Sequence, residues 1–218
     1  MTDLPEAVVD LVHPNVDRYL GELSRSTDPV LIEMERLAVE QSFPIVGPQV
    51  GRLLYVAAAS ISARRVLELG SGFGYSALWF ARAVGPDGRV VLTECSPERA
   101  AEADGFLRRS EVIDRAQIEV GNALEIAERL EGPFDIIFND VDKQDYPAAL
   151  EIAIDRLRPG GLFISDNMLW RGEVLDGDTT DAATRGVLEL TRRLYASDRF
   201  ATTLVPVRDG VTISVKER

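Results

Sequence analysis

Two short stretches of this sequence carry side chains whose type and spacing suit chemistry. Asn139-Asp140-Val141-Asp142-Lys143-Gln144-Asp145-Tyr146 follows the apolar run that starts at Phe134, and Ser165-Asp166-Asn167-Met168-Leu169-Trp170 follows Leu162-Phe163-Ile164. Each apolar run reads as a buried strand, so each polar stretch leaves a strand at its carboxyl end. In an open parallel sheet such ends share one crevice, and ligands bind there. Asp140, Asp166 and Asn167 then offer oxygen donors, the hard ligands that Mg²⁺ prefers. Lys143 places an amine beside them, within reach of a proton on whatever is held. A plainer account exists for each stretch alone: Asp140 and Asp142 as helix caps, Asp166-Asn167 as a turn. Two acidic strand ends side by side, next to a ligand loop, favour the metal site.

That loop is Glu68-Leu69-Gly70-Ser71-Gly72-Phe73-Gly74-Tyr75-Ser76. Val66, Leu67 and Leu69 make a strand, and the glycines let the backbone turn sharply and a ligand come close before a helix begins. A dinucleotide fingerprint wants glycine in the sixth place, where Tyr75 stands. Glu68 would repel a pyrophosphate and tolerate a cation. Glu94 closes the next strand, where a carboxylate can accept both hydroxyls of a ribose. Any adenosine-containing ligand shares that ribose, so Glu94 does not choose between them.

The elements that must position these residues follow from periodicity. Residues 4–12, 15–20, 29–41 and 49–61 read as helices, with Asp28 as cap and Pro29 in the first turn, and with 43–48 as a loop. His13 beside Pro14 reads as a cap or surface residue. Strand and helix then alternate: strands at 65–69, 89–93, 116–120, 134–139 and 162–165, helices at 75–84, 97–109, 123–130 and 146–157, and a turn at 158–161. This is the pattern of a parallel sheet with helical crossovers. After a helix at 182–195, strands at 201–207 and 211–215 are joined by only Arg208-Asp209-Gly210. So short a link makes a hairpin, which implies a parallel sheet finished by one antiparallel edge strand.

The chain has 218 residues, which suits a single domain with a large core. No window approaches the roughly 18 apolar residues of a membrane span. Residues 1–10 carry Asp3 and Glu6 and read as neither signal nor transit peptide. Cys95 is the one cysteine, which excludes an internal disulfide and a cysteine-cluster metal site. The expected compartment is the cytoplasm. A net charge of −12 argues against sequence-independent nucleic-acid binding, and Arg108-Arg109 and Arg192-Arg193 read as solvated helix faces.

The Glu-x-Gly-x-Gly-x-Gly loop resembles the first motif of the class I methyltransferases, which bind the sulfonium S-adenosylmethionine. With the paired acidic stretches, the chain is similar to the cation-dependent O-methyltransferases of the caffeoyl-CoA and catechol O-methyltransferase type. The resemblance is carried by residues 66–78, 134–146, 157–174 (Leu-Arg-Pro-Gly-Gly…Asp-Asn-Met-Leu-Trp-Arg-Gly-Glu-Val) and 207–216. It implies a Rossmann-like α/β fold with a seven-stranded, mostly parallel sheet, an antiparallel strand from the C-terminal hairpin, and N-terminal helices. One methyltransferase domain would span 1–218, with residues 1–62 as a helical cap and 63–218 as the cofactor-binding core. By position, Asp140, Asp166 and Asn167 would hold Mg²⁺ (or Ca²⁺ or Mn²⁺ in its place), and Lys143 would be the base. Val46, Glu68, Gly70, Ser71, Gly72, Ser76, Glu94, Cys95, Asn122, Ala123, Asp140 and Asp142 would surround the cofactor, with Trp170 and Lys143 at the acceptor.

Three departures from the family pattern stand out. Its glycine loop more often reads Gly-Thr-x-Thr-Gly, an apolar residue is usual at Asn139, and aspartate is common at Asn122. The implied reaction is methylation of a hydroxyl on a small catechol-like or hydroxycinnamoyl aromatic, by a cytoplasmic homodimer that binds no nucleic acid and no membrane. The competing expectations are a transfer-RNA hydroxyuridine O-methyltransferase of the same family, a nicotinamide-dependent oxidoreductase, and a non-catalytic cofactor-binding module.

Overall fold

The computed structural model describes residues 13–217. Its strands are β1 (Arg65–Leu69), β2 (Arg89–Glu94), β3 (Ala116–Val120), β4 (Phe134–Asn139), β5 (Leu157–Ser165), β6 (Phe200–Val205) and β7 (Val211–Lys216). Its helices are α1 (Pro14–Ser24), α2 (Pro29–Glu40), α3 (Gly47–Ser60), α4 (Tyr75–Ala83), α5 (Pro97–Arg109), α6 (Ala123–Arg129), α7 (Tyr146–Arg156) and α8 (Ala182–Tyr195). Short 3₁₀ turns follow β4 at Lys143–Asp145 and β5 at Trp170–Leu175. The helix expected over residues 4–12 lies outside the described residues. No helix among the described residues is long and apolar enough to cross a membrane.

One sheet holds all seven strands in the order β3-β2-β1-β4-β5-β7-β6. β1 pairs in parallel with both β2 and β4, so the chain reverses its direction of sheet growth beside β1. The loops leaving β1 and β4 therefore diverge around a crevice at their carboxyl ends. Alternation along each strand sorts the core into two layers. Val66, Ile136, Phe138 and Ile164 pack under α2, α3, α4 and α5. Leu67, Leu69, Ile137 and Phe163 pack under α6, α7 and α8. Full burial on both faces is why β1 and β4 read as continuous apolar runs in the sequence.

Local signals set the helix ends. Asp28 Oδ1 accepts from the Val30 and Leu31 amides at 2.9 and 3.0 Å, and Leu31, Met34 and Ala38 form the buried stripe of α2. His13 Nδ1 accepts from the Asn15 amide at 3.2 Å and caps α1, as expected. α3 begins at Gly47, two residues before the expected start.

Two sequence expectations need correction. The hairpin forms, but β7 inserts between β5 and β6 and pairs antiparallel with both, so the antiparallel strand lies one place in from the edge. Residues 158–161 are not a turn between helix and strand; they belong to β5. Pairing with β4 jumps from Phe134–Leu157 to Ile136–Leu162, which makes them a bulge. Asp135 holds that bulge, since its Oδ1 accepts from Arg158 Nε at 2.5 Å. Its Oδ2 accepts from the Arg64 and Arg65 amides at 2.8 and 2.7 Å.

Candidate active site

The loop after β1 is tied to the end of β2. The Gly70 amide donates to Thr93 Oγ1 at 3.1 Å, the Ser71 amide to the Thr93 carbonyl at 3.0 Å, and the Gly72 amide to Glu94 Oε2 at 2.8 Å. The glycines are structural requirements. Gly70 has φ +84°, and a Cβ there would stand 2.6 Å from the Asp140 carbonyl oxygen. Gly72 has φ +56°, and its Cβ would stand 2.6 Å from the Phe43 ring. Only a residue without a side chain meets both demands.

Beneath this loop lies Glu68, with no solvent exposure. Ser71 Oγ donates to its Oε2 at 2.7 Å, while Oε1 has no partner. Burial pushes the carboxyl up to about 7 against the hydrogen bonds of Ser76 and Ser71, and the charges of Asp140 and Glu94 push the same way. An orphaned buried carboxylate oxygen calls for a donor, and a ligand ammonium group would supply one. That fits the amino-acid end of S-adenosylmethionine.

Around the loop, a cavity of about 730 Å³ is lined by Val46, Gly70, Ser71, Gly72, Ser76, Glu94, Cys95, Asn122, Ala123, Asp140, Asp142, Lys143, Asp166, Asn167 and Trp170. Every residue predicted for the site is on its wall except Glu68, which sits under it. Two have local duties as well. Glu94 Oε1 accepts from the Ser96 amide at 2.8 Å, so its carboxylate braces both the glycine loop and the start of α5. Asn122 Oδ1 caps α6, accepting from the Leu124 and Glu125 amides at 3.0 and 3.1 Å. Its amide nitrogen stays free to donate into the cavity.

The other end of the cavity is acidic. β4 and β5 are parallel neighbours with Asn139 beside Ser165. Asp140 and Asp166 therefore leave the sheet together, and the Asp166 amide donates to the Asn139 carbonyl at 3.2 Å. Burial and the nearby Asp140 charge push the Asp166 carboxyl up to about 7. Burial also raises Asp140, and Lys143 opposes the rise. Lys143 Nζ donates to Asp140 Oδ1 at 2.8 Å and to the Val141 carbonyl at 3.3 Å, with 11% of its side chain exposed. Its Nζ also lies over the rings of Tyr146 and Trp170, at 5.0 and 5.7 Å. Tyr146 OH donates to the Asp166 carbonyl at 2.8 Å, fixing the strand end from below.

No group of three or more His, Cys, Asp or Glu side chains suited to a metal is gathered among the described residues. The candidate has two carboxylates and the amide of Asn167, whose backbone takes φ +54°. The Asp140 charge weighs on the buried Asp166 carboxylate, a burden that a cation would relieve, and the oxygens of both are hard donors, so the set fits Mg²⁺. Asn139, the departure beside Asp140, is fully buried; its Nδ2 reaches Ser165 Oγ at 3.3 Å and its Oδ1 has no partner.

The resemblance puts the loop from Trp170 to about Asp181 at the acceptor pocket, which covers the wall residue Arg171; sequence reasoning missed others, among them Phe43, Tyr75, Thr93 and Asp209. Asp209 comes from the β6–β7 hairpin and accepts the Arg171 amide on Oδ1 at 2.6 Å, closing the acidic end. Only the Asp-Gly in the hairpin marked that position in the sequence.

Known proteins resemble this chain over most of its length. A family model described as O-methyltransferase matches residues 21–217. A catechol O-methyltransferase of Niastella koreensis is 32% identical over 94% of this chain and 97% of its own length. A catechol O-methyltransferase of Mycobacterium tuberculosis is 38% identical over 81% of this chain and 83% of its own. An O-methyltransferase of Streptomyces achromogenes, solved in complex with SAM, superposes with a TM-score of 0.86 at 32% identity, over 94% of this chain and 96% of that one.

Proposed function

This chain belongs to the O-methyltransferase family and is an S-adenosylmethionine-dependent O-methyltransferase; from that premise, we propose that it methylates a hydroxyl of a small catechol-like or hydroxycinnamoyl acceptor. The observation that carries the reading is the meeting, in one cavity, of the Glu68 loop with Asp140, Lys143, Asp166 and Asn167. S-adenosylmethionine supplies a methyl group on a sulfonium, and transfer yields a methyl ether, S-adenosylhomocysteine and a proton.

The protein's share is to bind, orient and take that proton. Glu68, with an oxygen free beneath Ser71 and Ser76, is assigned the cofactor's ammonium. Glu94 is assigned the ribose hydroxyls, Asn122 and Ala123 the adenine, and Val46, Gly70, Gly72, Cys95 and Asp142 the remaining walls. Asp140, Asp166 and Asn167 would hold a divalent cation, Mg²⁺ or Ca²⁺ or Mn²⁺ in its place. When bound, such a cation supplies Lewis acidity and orientation at the acceptor hydroxyls. Lys143, as the neutral amine, takes the acceptor proton on Nζ. Trp170 and Tyr146, packed about that amine, keep water from it. Most of the acceleration then comes from holding oxygen and methyl carbon in line. In this reading residues 1–62 cap the cofactor-binding core of 63–218, the acceptor is a small molecule and not a nucleic acid, and the enzyme acts as a cytoplasmic homodimer.

The test is methyl transfer from labelled S-adenosylmethionine to a panel of catechols and hydroxycinnamates, with Mg²⁺ and with EDTA. Transfer that EDTA abolishes and Mg²⁺ restores is expected, together with loss of the metal response in Asp140→Ala. Transfer to bulk tRNA but to no catechol, or full activity in EDTA, overturns the proposal.

A further inference from the structure

Beyond Trp170, one arginine on the cavity wall and a second beside the wall are not used by the reaction. Arg171 lines the cavity and follows Trp170 in the 3₁₀ turn. Arg208 stands at the tip of the β6–β7 hairpin, next to the wall residue Asp209. Both are exposed, and neither takes part in an ion pair among the described residues. Solvent exposure alone would make them ordinary surface charges. Three further observations separate them from the rest.

Both have left-handed backbones, φ +55° at Arg171 and φ +51° at Arg208, a conformation that long side chains rarely take. Asp209, the neighbour of Arg208, ties the turn of Arg171 to the hairpin: its carboxylate accepts the Arg171 amide, and its carbonyl accepts the Leu169 amide at 2.8 Å. The opposite rim also makes room for Arg208. Its guanidinium lies across Gly47, where a Cβ would fall 1.9 Å from Nη1, and Gly47 adjoins the wall residue Val46. The guanidinium's charge is felt at Asp166 and at Tyr75, both on the cavity wall. Arg208 thus bridges the hairpin and the start of α3 at the mouth of the site.

We propose that Arg171 and Arg208 determine acceptor specificity by binding an anionic substituent, a carboxylate on the aromatic ring or its side chain. This rests on the methyltransferase reading above and narrows its acceptor class. The acceptor's hydroxyls point toward the acidic strand ends and Lys143, and its carboxylate points outward, where a planar guanidinium can take it with two hydrogen bonds. The small cavity on the far side of Arg171 is lined by Glu173 and Asp181, which would turn an anion back toward Arg208.

The experiment compares kcat/KM for 3,4-dihydroxybenzoate and 3,4-dihydroxycinnamate with that for their carboxamides and for 3,4-dihydroxybenzylamine. An acid-to-amide ratio of about tenfold or more is expected for at least one pair, as a charge-assisted contact gives. That ratio should fall toward one in Arg208→Gln and in Arg171→Gln, and stay in Arg18→Gln on α1. Arg208→Gly, which suits the left-handed backbone, keeps the test valid if the glutamine variant folds poorly. Ratios within about twofold for both pairs, preference for the amine, or a ratio indifferent to both substitutions overturns the inference alone. Methylation of none of the panel overturns the underlying reading and the inference with it.

Discussion

At its glycine-loop end the cavity is shaped by backbone. Amides of Gly70, Ser71 and Gly72 bond to Thr93 and Glu94, and absent side chains admit Asp140 and Phe43. At its acidic end the cavity is shaped by side chains projected from strand ends and a hairpin tip, several with strained or charge-burdened positions. The first end is a mould that tolerates little change in volume. The second is an arrangement of charges whose shape can survive substitution while its chemistry does not. Gly70 is the point where the two ends touch.

Lys143→Ala should give the largest effect, about 10²–10⁴ lower turnover with donor affinity within about twofold. Single-turnover methyl transfer beside calorimetric titration of S-adenosylmethionine checks it, and equal loss in both would erase the contrast between the ends. Gly70→Ala should act on both ends, since the added carbon meets the Asp140 carbonyl at 2.6 Å. Denaturant unfolding should show a loss of about 2–4 kcal/mol, with donor binding weakened in step.

Glu68 gives a sharper test because its carboxyl stands at about 7, above an ordinary 4.5. A raised folded value means that ionisation opposes folding. Stability of the ligand-free protein should fall as pH rises through that window, by about 3 kcal/mol once it is passed. In the proposed reading donor binding uses the ionised form, so affinity should rise about tenfold between about pH 6 and pH 8. Glu68→Gln should flatten the binding profile and remove the Glu68 share of the stability slope, leaving that of Asp166, which also stands at about 7; profiles unchanged by the substitution would move the titration elsewhere. The smallest effect is expected at Asn122. Asn122→Ala should lose the α6 cap, about 1 kcal/mol by thermal unfolding, whereas Asn122→Asp keeps an acceptor and the stability.

Much of this was legible because it is local or topological. The apolar runs of β1, β4 and β5, the cap at Asp28 and the hairpin link each carry their own signal. The nearness of Asp140 and Asp166 follows once β4 and β5 are neighbours in a parallel sheet. Contacts between distant residues were not legible. Asp209 meets Arg171, Phe43 covers Gly72, and Glu94 braces the glycine loop, and no periodicity links such partners. Pro159-Gly160-Gly161 reads as a turn by composition, yet Asp135 holds Arg158 and keeps the segment in the sheet. The place of β7 was equally hidden, since a hairpin link fixes that two strands pair but not which of them reaches the sheet.

That placement has a consequence in time. A ribosome delivers the glycine loop, β2 and β4 well before the last two strands. β7 must slot between β5 and β6, and it brings with it the tip that carries Arg208 and Asp209. The rim beside the acidic end is complete only once this hairpin has joined the sheet. An acceptor site at this end therefore depends on chain far downstream of the glycine loop.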